Sequence, residues 1–405
     1  MTHEPHEAGL ARDPTLVRRI NRALVLDYLR LHGPAGRAEL ARELQISLPT
    51  VVNIIEELEA ERFVRREGSG RSSGGRPSPL YAFDHGSHAV IGVDVGGSKM
   101  HGAVTDLAGG VQYELTLPND GVKGRQAVGR LIGLIERLLA APRPPEQTVL
   151  GIGIGAPGVV THPQGLVVWA PGLSWRELPL KDLLAQHFPF PVAVENDVNL
   201  AALGELNYGA GRGARNLVLI RVGTGIGAGI VINGALYRGS HRSAGEVGCL
   251  LPNPQCLRRR FDRFGALESL ASAAGMAKRS RRLLRRQGLP VPADLDARQI
   301  CAAAREGQDW AKRLVAETAD YLSLALVNLA LILDPEVIVF SGGLSRSADL
   351  FLPAMTAALN SLPFPPALQL STLGDRASAL GAVSLVLDTV IGRPAAYSEP
   401  DPAKE

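Results

Sequence analysis

Val90-Ile91-Gly92-Val93-Asp94-Val95-Gly96-Gly97-Ser98 is an apolar run that ends in a glycine turn. Leu217-Val218-Leu219-Ile220-Arg221-Val222-Gly223-Thr224-Gly225 repeats the pattern and continues into Ile226-Gly227-Ala228-Gly229-Ile230. Each stretch reads as the first hairpin of a sheet, with small residues at the turn. Around them, short β-rich runs alternate with longer helical segments, which is the texture of an α/β domain. Two such units predict a duplicated fold with a cleft between two lobes.

Glycine turns at strand ends let backbone N–H groups approach a phosphate closely. Gly96 and Gly97 with Ser98 and Lys99 form one candidate cradle, and Asp94 at the strand end is placed to hold a metal-bound water. Gly223, Thr224, Gly225 and Gly227 form a second. Gly342-Gly343, after the strand Val337-Ile338-Val339-Phe340-Ser341, is a third and could lie under an adenine and ribose. Any one of these also reads as a plain hairpin closure; three together favour a nucleotide cleft. Between them Val192-Ala193-Val194-Glu195-Asn196-Asp197 reads as a strand that ends in polar residues before an alanine-rich helix. Asp197 is a candidate general base, or else a helix cap, and Asn196 can hydrogen-bond a hydroxyl. Glu246 and Glu268 are further hydroxyl-binding candidates that in isolation read as surface carboxylates.

The N-terminal segment is different. Residues 14–67 are Arg-rich and helical in pattern. Arg37 to Leu44 reads as a short helix and Gln45-Ile46-Ser47 as a tight turn. Ser47 caps a second helix from Leu48 to about Ala60, with Pro49 tolerated in its first turn. Val52, Ile55 and Leu58 are expected to face inward. Pro49, Thr50 and Asn53 then point outward, as on a recognition helix entering a major groove. Phe63 to Arg66 and Leu80 to Phe83 are expected to pair around the Gly/Ser-rich stretch 68–77 as a wing, with Arg71 and Arg76 at its tip. The span from Pro14 to Leu80 holds 11 Arg and 8 acidic residues, so charge supports DNA binding only mildly. A winged helix used for protein contacts is the alternative.

The composition is consistent with this division. The chain has 405 residues, 45% hydrophobic and 20% charged, which suits two or three globular domains. Its net charge of +3 excludes a polybasic coat, so any DNA contact must be local. Three cysteines exclude a disulfide framework. The first residues lack an apolar secretory core, and the aliphatic run 322–333 is too short to span a bilayer. The expectation is a soluble, cytoplasmic protein with no membrane partner. Its parts are a tail at 1–13, a winged helix-turn-helix at 14–84, a two-lobed domain at 88–392 and a tail at 393–405.

In combination these motifs resemble the ROK family (repressor, open reading frame, kinase), in its xylose-repressor-like branch. The motifs are Gly92 to Lys99, Glu195-Asn196-Asp197, Gly223 to Gly227, Ala244-Gly245-Glu246-Val247-Gly248 and Ser341-Gly342-Gly343. The resemblance implies an actin-like, duplicated ribonuclease-H-like domain behind an N-terminal winged helix. It implies Asp197 as the base that deprotonates a sugar hydroxyl, and Asn196, Glu246 and Glu268 as sugar ligands. Asp94, Gly96, Gly97 and Lys99, with Gly223 to Gly227, match the phosphate and Mg²⁺ region, so Mg-ATP is the implied cofactor. Operator DNA, a small-molecule sugar and a homodimer or homotetramer are the implied partners.

The departures are local. Cys249 stands where the family usually has a His, which removes a sugar contact. Arg259, Phe261 and Ala266 stand at the three usual zinc-binding Cys positions, so no zinc is expected. The stretch 256–286 is strongly basic instead and is expected to be a solvated face, or alternatively an anion or auxiliary DNA contact. Two functions follow from these readings: a sugar-responsive transcriptional regulator, and an ATP-dependent sugar kinase with a DNA-binding head. A partner-binding scaffold is a third.

Overall fold

The computed structural model describes residues 14–69, 78–119, 121–258 and 265–391. The proposed tails, Arg71, Arg76, Arg259 and Phe261 lie outside the described residues.

The N-terminal elements are α1 (Pro14–His32), β1 (Ala35–Gly36), α2 (Arg37–Leu44), α3 (Leu48–Ala60), β2 (Val64–Ser69) and β3 (Pro79–Phe83). Between α2 and α3, Gln45 takes a left-handed conformation (φ +55°), and Ser47 Oγ accepts the Thr50 N–H. That cap satisfies a backbone donor the first turn of α3 cannot pair internally. β2 and β3 pair antiparallel, Val64 opposite Phe83, and β1 adds a third strand beside β3. The buried face of α3 is Val51, Ile54, Ile55 and Leu58, the i, i+3, i+4, i+7 set. Ile55 and Leu58 therefore face inward as expected. Val52 is only half-buried, because the packing stripe starts one residue earlier.

The next stretch holds β4 (His88–Val95), β5 (Lys99–Asp106), β6 (Val111–Pro118), α4 (Gly124–Leu139) and β7 (Thr148–Ala156). It continues with β8 (Val159–Thr161), β9 (Leu166–Ala170), β10 (Trp175–Leu178), α5 (Leu180–Ala185), β11 (Val192–Asn196) and α6 (Asp197–Tyr208). The last stretch holds β12 (Leu217–Val222), β13 (Ile226–Ile232), β14 (Ala235–Leu236), α7 (Ala266–Ala271), α8 (Ala273–Arg286) and α9 (Ala297–Arg305). After them come α10 (Asp309–Leu333), β15 (Val337–Ser341), α11 (Ala348–Leu359), β16 (Ala367–Leu370) and α12 (Ala377–Ile391).

The two main sheets have one topology. The first is ordered β11-β7-β4-β5-β6 and the second β14-β13-β12-β15-β16. In each, the leading strand pairs antiparallel with the next in sequence and parallel with the one that follows a helical crossover. The duplication expected from residues 90–98 and 217–225 is thus a duplication of sheet order. β8, β9 and β10 form a small separate antiparallel sheet.

The helices that follow each sheet are exchanged. α6 leaves the first sheet and packs on β12 and β13 of the second; α12 leaves the second and packs on β4 and β7 of the first. The two helices cross against each other between the sheets. Their approach is close because Gly204 and Gly381 stand at the crossing. A Cβ on Gly381 would lie 1.8 Å from Leu200 O, and one on Gly204 2.1 Å from Ala377 O. A helix carrying larger residues there could not seat.

Strand pleating then assigns the faces. On β12, Val218, Ile220 and Val222 enter the core under α7–α11, while Leu217 and Leu219 pack toward α6. On β4, Ile91, Val93 and Val95 pack toward α4, and Gly92 lies against Ala379 of α12. Alternation places Asp94 and Arg221 on the faces that look between the sheets. The long helix α10 contains the run 322–333, and by length and composition it could cross a bilayer. Half of its most apolar window is buried in the protein, under α8, α9 and α11.

The N-terminal elements are not tethered loosely. Residues of α1, α3 and β3 share one apolar cluster with Val90, Leu107 and the α12 residues Val383, Val386, Leu387 and Ile391. His88 Nε2 pairs with Glu61 O at 3.0 Å, and Arg30 donates to Asn207 Oδ1 at 3.2 Å.

Candidate functional site

Asp197 is the first residue of α6, directly after β11. The helix cap is Asn196, whose Oδ1 accepts the Val198 and Asn199 N–H groups at 2.9 and 3.0 Å. Asn196 Nδ2 donates to Gly158 O. This frees Asp197 to project into the space between the sheets, where its carboxylate meets Arg221. Arg221 Nη1 donates to Asp197 Oδ2 at 3.2 Å, and Nη2 donates to Asp94 Oδ2 at 3.1 Å. Burial pushes the Asp197 carboxyl up to about 6, Arg221 offsets part of that, and the Asp94 charge adds to it. Asp197 is therefore poised near neutrality, where a base exchanges protons readily.

Glu195, behind Asn196, is fully enclosed (side chain 1% exposed). It accepts from Asn196 N, Asn199 Nδ2 and Arg238 Nε at 2.9, 3.0 and 2.7 Å. Burial opposes its ionisation, yet Arg238, His162 and these bonds hold it below the usual carboxylate range. A buried, paired charge of this kind fixes the backbone at 195–197 and so the direction of Asp197.

The glycine turns converge on the same space. Gly96 N donates to Lys99 O, closing β4–β5, and Gly223 N donates to Gly225 O, closing β12–β13. Gly97 and Gly223 face open space; Ser98 and Thr224 are exposed. Gly227 packs on Val198 at the start of α6. Gly342 (φ +91°) lies against the backbone of Val222, an approach that leaves no room for a side chain, with Gly343 exposed beside it. Lys99 Nζ pairs with Asp375 Oδ2 at 2.7 Å.

Glu268 sits beneath the second turn. Its Oε2 accepts the Ile226 N–H at 2.8 Å, and a Cβ on Gly225 would reach the same oxygen at 2.5 Å. Burial raises the Glu246 carboxyl above the ordinary range, and the nearby Glu268 charge adds to that. Desolvation raises Glu268 as well. Cys249 stands beside this pair, and burial and both carboxylates raise its thiol. So Asn196, Asp197, Asp94 and the three turns form one constellation, with Glu246 and Glu268 at its second-turn wall. Among the described residues no three His, Cys, Asp or Glu side chains converge as metal ligands.

The second candidate site is the exposed end of α3. Ser47, Pro49 and Asn53 are exposed and Thr50 is half-exposed. The acidic residues farther along are matched by arginines of neighbouring elements. Arg18 pairs with Glu57, Arg22 with Glu61, Arg37 with Glu56 (3.4 Å) and Arg66 with Glu59 (2.9 Å). These pairs mask carboxylates that would otherwise repel a phosphate backbone. In the basic stretch, Arg279 is held by Glu317, Leu270 O and Thr318, and Arg281 by Leu295 O. Part of that charge is structural.

Arg221 and Ser378 belong to the site and were not singled out in the sequence. Arg221 Nη1 lies 3.4 Å from Ser378 Oγ, and that hydroxyl donates to Asp197 O at 2.8 Å. The signal for Arg221 was present. It is two residues before Gly223, as Asp94 is two before Gly96, and it interrupts an otherwise apolar strand.

The ROK family profile matches residues 90–389. The xylose repressor of Caldicellulosiruptor bescii is 30% identical, over 94% of this chain and 98% of its own length. The crystal structure of a ROK family transcriptional regulator, a homolog of the E. coli MLC protein, superposes with a TM-score of 0.80. It is 24% identical, over 93% of this chain and 99% of its own. A ROK family glucokinase from Streptomyces griseus, solved with glucose and AMPPNP, superposes at 0.64 and is 29% identical. It covers 73% of this chain and 98% of its own.

Proposed function

The chain belongs to the ROK family, and from that premise we propose that it is a sugar-responsive transcriptional repressor. It binds operator DNA through α3 and the wing, and a sugar in the cleft between the sheets. The observation that carries this reading is the extent of the likeness. The match to the xylose repressor spans 94% of the chain and so cannot omit α1–β3, whereas the glucokinase match stops at 73%. The fold is that of the family's sugar kinases with a winged helix-turn-helix in front.

In this reading Ser47, Pro49, Thr50 and Asn53 face the major groove, and Arg71 and Arg76 supply phosphate or minor-groove contacts. Asn196, Asp197, Glu246 and Glu268 take sugar hydroxyls. A homodimer presents two α3 helices to a palindromic site. The path between the sites is α12. Its first turn touches Asp197 and Arg221 through Ser378, and its last turns pack against α1. A sugar that alters the Asp197–Arg221 contact shifts α12 and with it the winged helix.

Fluorescence anisotropy on the DNA upstream of its own gene tests this reading. Xylose, glucose and N-acetylglucosamine are added in turn. One sugar is expected to weaken binding by about tenfold or more, a shift of about 1.4 kcal/mol. No binding to that DNA, or binding indifferent to every sugar, contradicts the reading.

A further inference from the structure

Arg221 is the one non-apolar residue of β12, and it holds two carboxylates at once. These carboxylates, Asp94 and Asp197, are the ones the family resemblance assigns to the divalent-cation region and to the base. The repeat explains the geometry. Arg221 is the counterpart of Asp94 in the second unit, so the two meet across the floor of the cleft as a pseudo-symmetric ion pair at 3.1 Å.

This arrangement competes with a metal. Asp94 Oδ1 is enclosed and has no hydrogen-bond partner among the described residues, while Oδ2 is held by Arg221. A cation reaching Oδ2 would sit against the guanidinium, and like charges in contact repel strongly in a partly enclosed site. The neighbouring cations are engaged too. Lys99 is turned to Asp375, which Arg346 also contacts at 3.1 Å. The side chains at the floor therefore do not fit a metal–nucleotide complex as they stand. Asp94, Asp197, Asp375, Arg221, Lys99 and Arg346 together balance to zero, so the floor offers no unpaired cation to a phosphate while its carboxylate oxygens can still accept hydroxyl donors.

We infer that Arg221 is a built-in counter-ion standing where a metal–nucleotide complex would neutralise Asp94, and that the cleft receives a neutral polyhydroxylated ligand without Mg-ATP. This rests on the cleft being a sugar site, but it is read by metal and nucleotide binding rather than by operator affinity, so the two can fail separately.

The experiment is Mn²⁺ titration followed by electron paramagnetic resonance, with AMP-PNP affinity measured with and without Mg²⁺. The full chain is compared with R221A and R221Q, each checked by its thermal melt. R221Q keeps bulk and a hydrogen-bond donor in case R221A does not fold. The wild type is expected to show no Mg²⁺-dependent gain in AMP-PNP affinity. Removing the guanidinium is expected to tighten Mn²⁺ by about tenfold or more, and D94N in the same background to abolish the gain. Mn²⁺ or Mg-AMP-PNP binding to the wild type that D94N removes overturns the inference. So does a folded R221A or R221Q with unchanged Mn²⁺ affinity.

Discussion

Asp197 carries the most chemistry for its size. In the proposed reading its carboxylate accepts a hydrogen bond from a sugar hydroxyl, and a hydrogen bond to a charged group contributes about 1.5–3 kcal/mol. D197N should weaken sugar binding by about that amount, measured by calorimetry. Because burial raises its pKa from 3.8 to about 6, sugar affinity should fall as pH drops through 6, and D197N should flatten that profile. The sign for stability is opposite. A raised carboxyl stabilises the fold below the unfolded value of 3.8, and the contribution is lost as pH rises through about 6. A site that holds such a group at neutral pH does so at a cost in stability, which is common where function needs the charge. Arg221 offsets part of that cost, and no single motif pointed to it. It stands out only when the two repeats are aligned, since an arginine inside an apolar strand otherwise reads as an edge residue.

Two helices decide whether the site matters to the rest of the protein. On α3, Asn53 is exposed and its neighbours Val51, Ile54 and Ile55 are buried. N53A should therefore leave stability unchanged. It should relax operator preference at one base pair by about 1–3 kcal/mol, with the salt slope of binding unaltered. The α2–turn–α3 unit was legible because caps and turns are local chemistry: Ser47, Gln45 and Pro49 announce it. Of the three expected inward residues only Val52 was misplaced, because Val51 and Val52 are equivalent in propensity and only tertiary packing separates them.

α12 was not legible as a connector. Its sequence, rich in Ala, Ser, Leu and Val, is that of any buried helix. S378A should weaken the sugar effect on DNA binding while leaving sugar-free DNA affinity near wild type, since the Ser378 hydroxyl bonds to Asp197 and Arg221 at the cleft end of α12. Leu387 is 6% exposed in the cluster shared with α1. L387A should cost about 2–5 kcal/mol of stability in denaturant unfolding.

The Gly/Ser-rich stretch at 68–77 reads as the tip of a wing, and nothing in the sequence says how the winged helix meets the domain behind it. β2 pairs with β3, β3 runs within four residues into β4, and Tyr81 and Phe83 enter one core with Val90 and Ile391. The winged helix and the first sheet share buried surface, and shared apolar surface makes two units respond together. Sequence patterning gives each element its own periodicity but does not say which apolar faces meet, and that is why duplication was readable and fusion was not. The α6/α12 exchange has the same origin: it depends on Gly204 and Gly381 meeting, and neither glycine announces its partner.

In the proposed reading the cleft senses a sugar rather than phosphorylating it. The most direct measurement follows DNA affinity and ADP release in the same samples, with Mg-ATP and the sugar that shifts the upstream-DNA complex. A sugar-dependent fall in DNA affinity is expected while ADP release stays at the rate seen without sugar. Sugar-dependent ADP release that disappears in D197N would contradict it and make the cleft a working kinase.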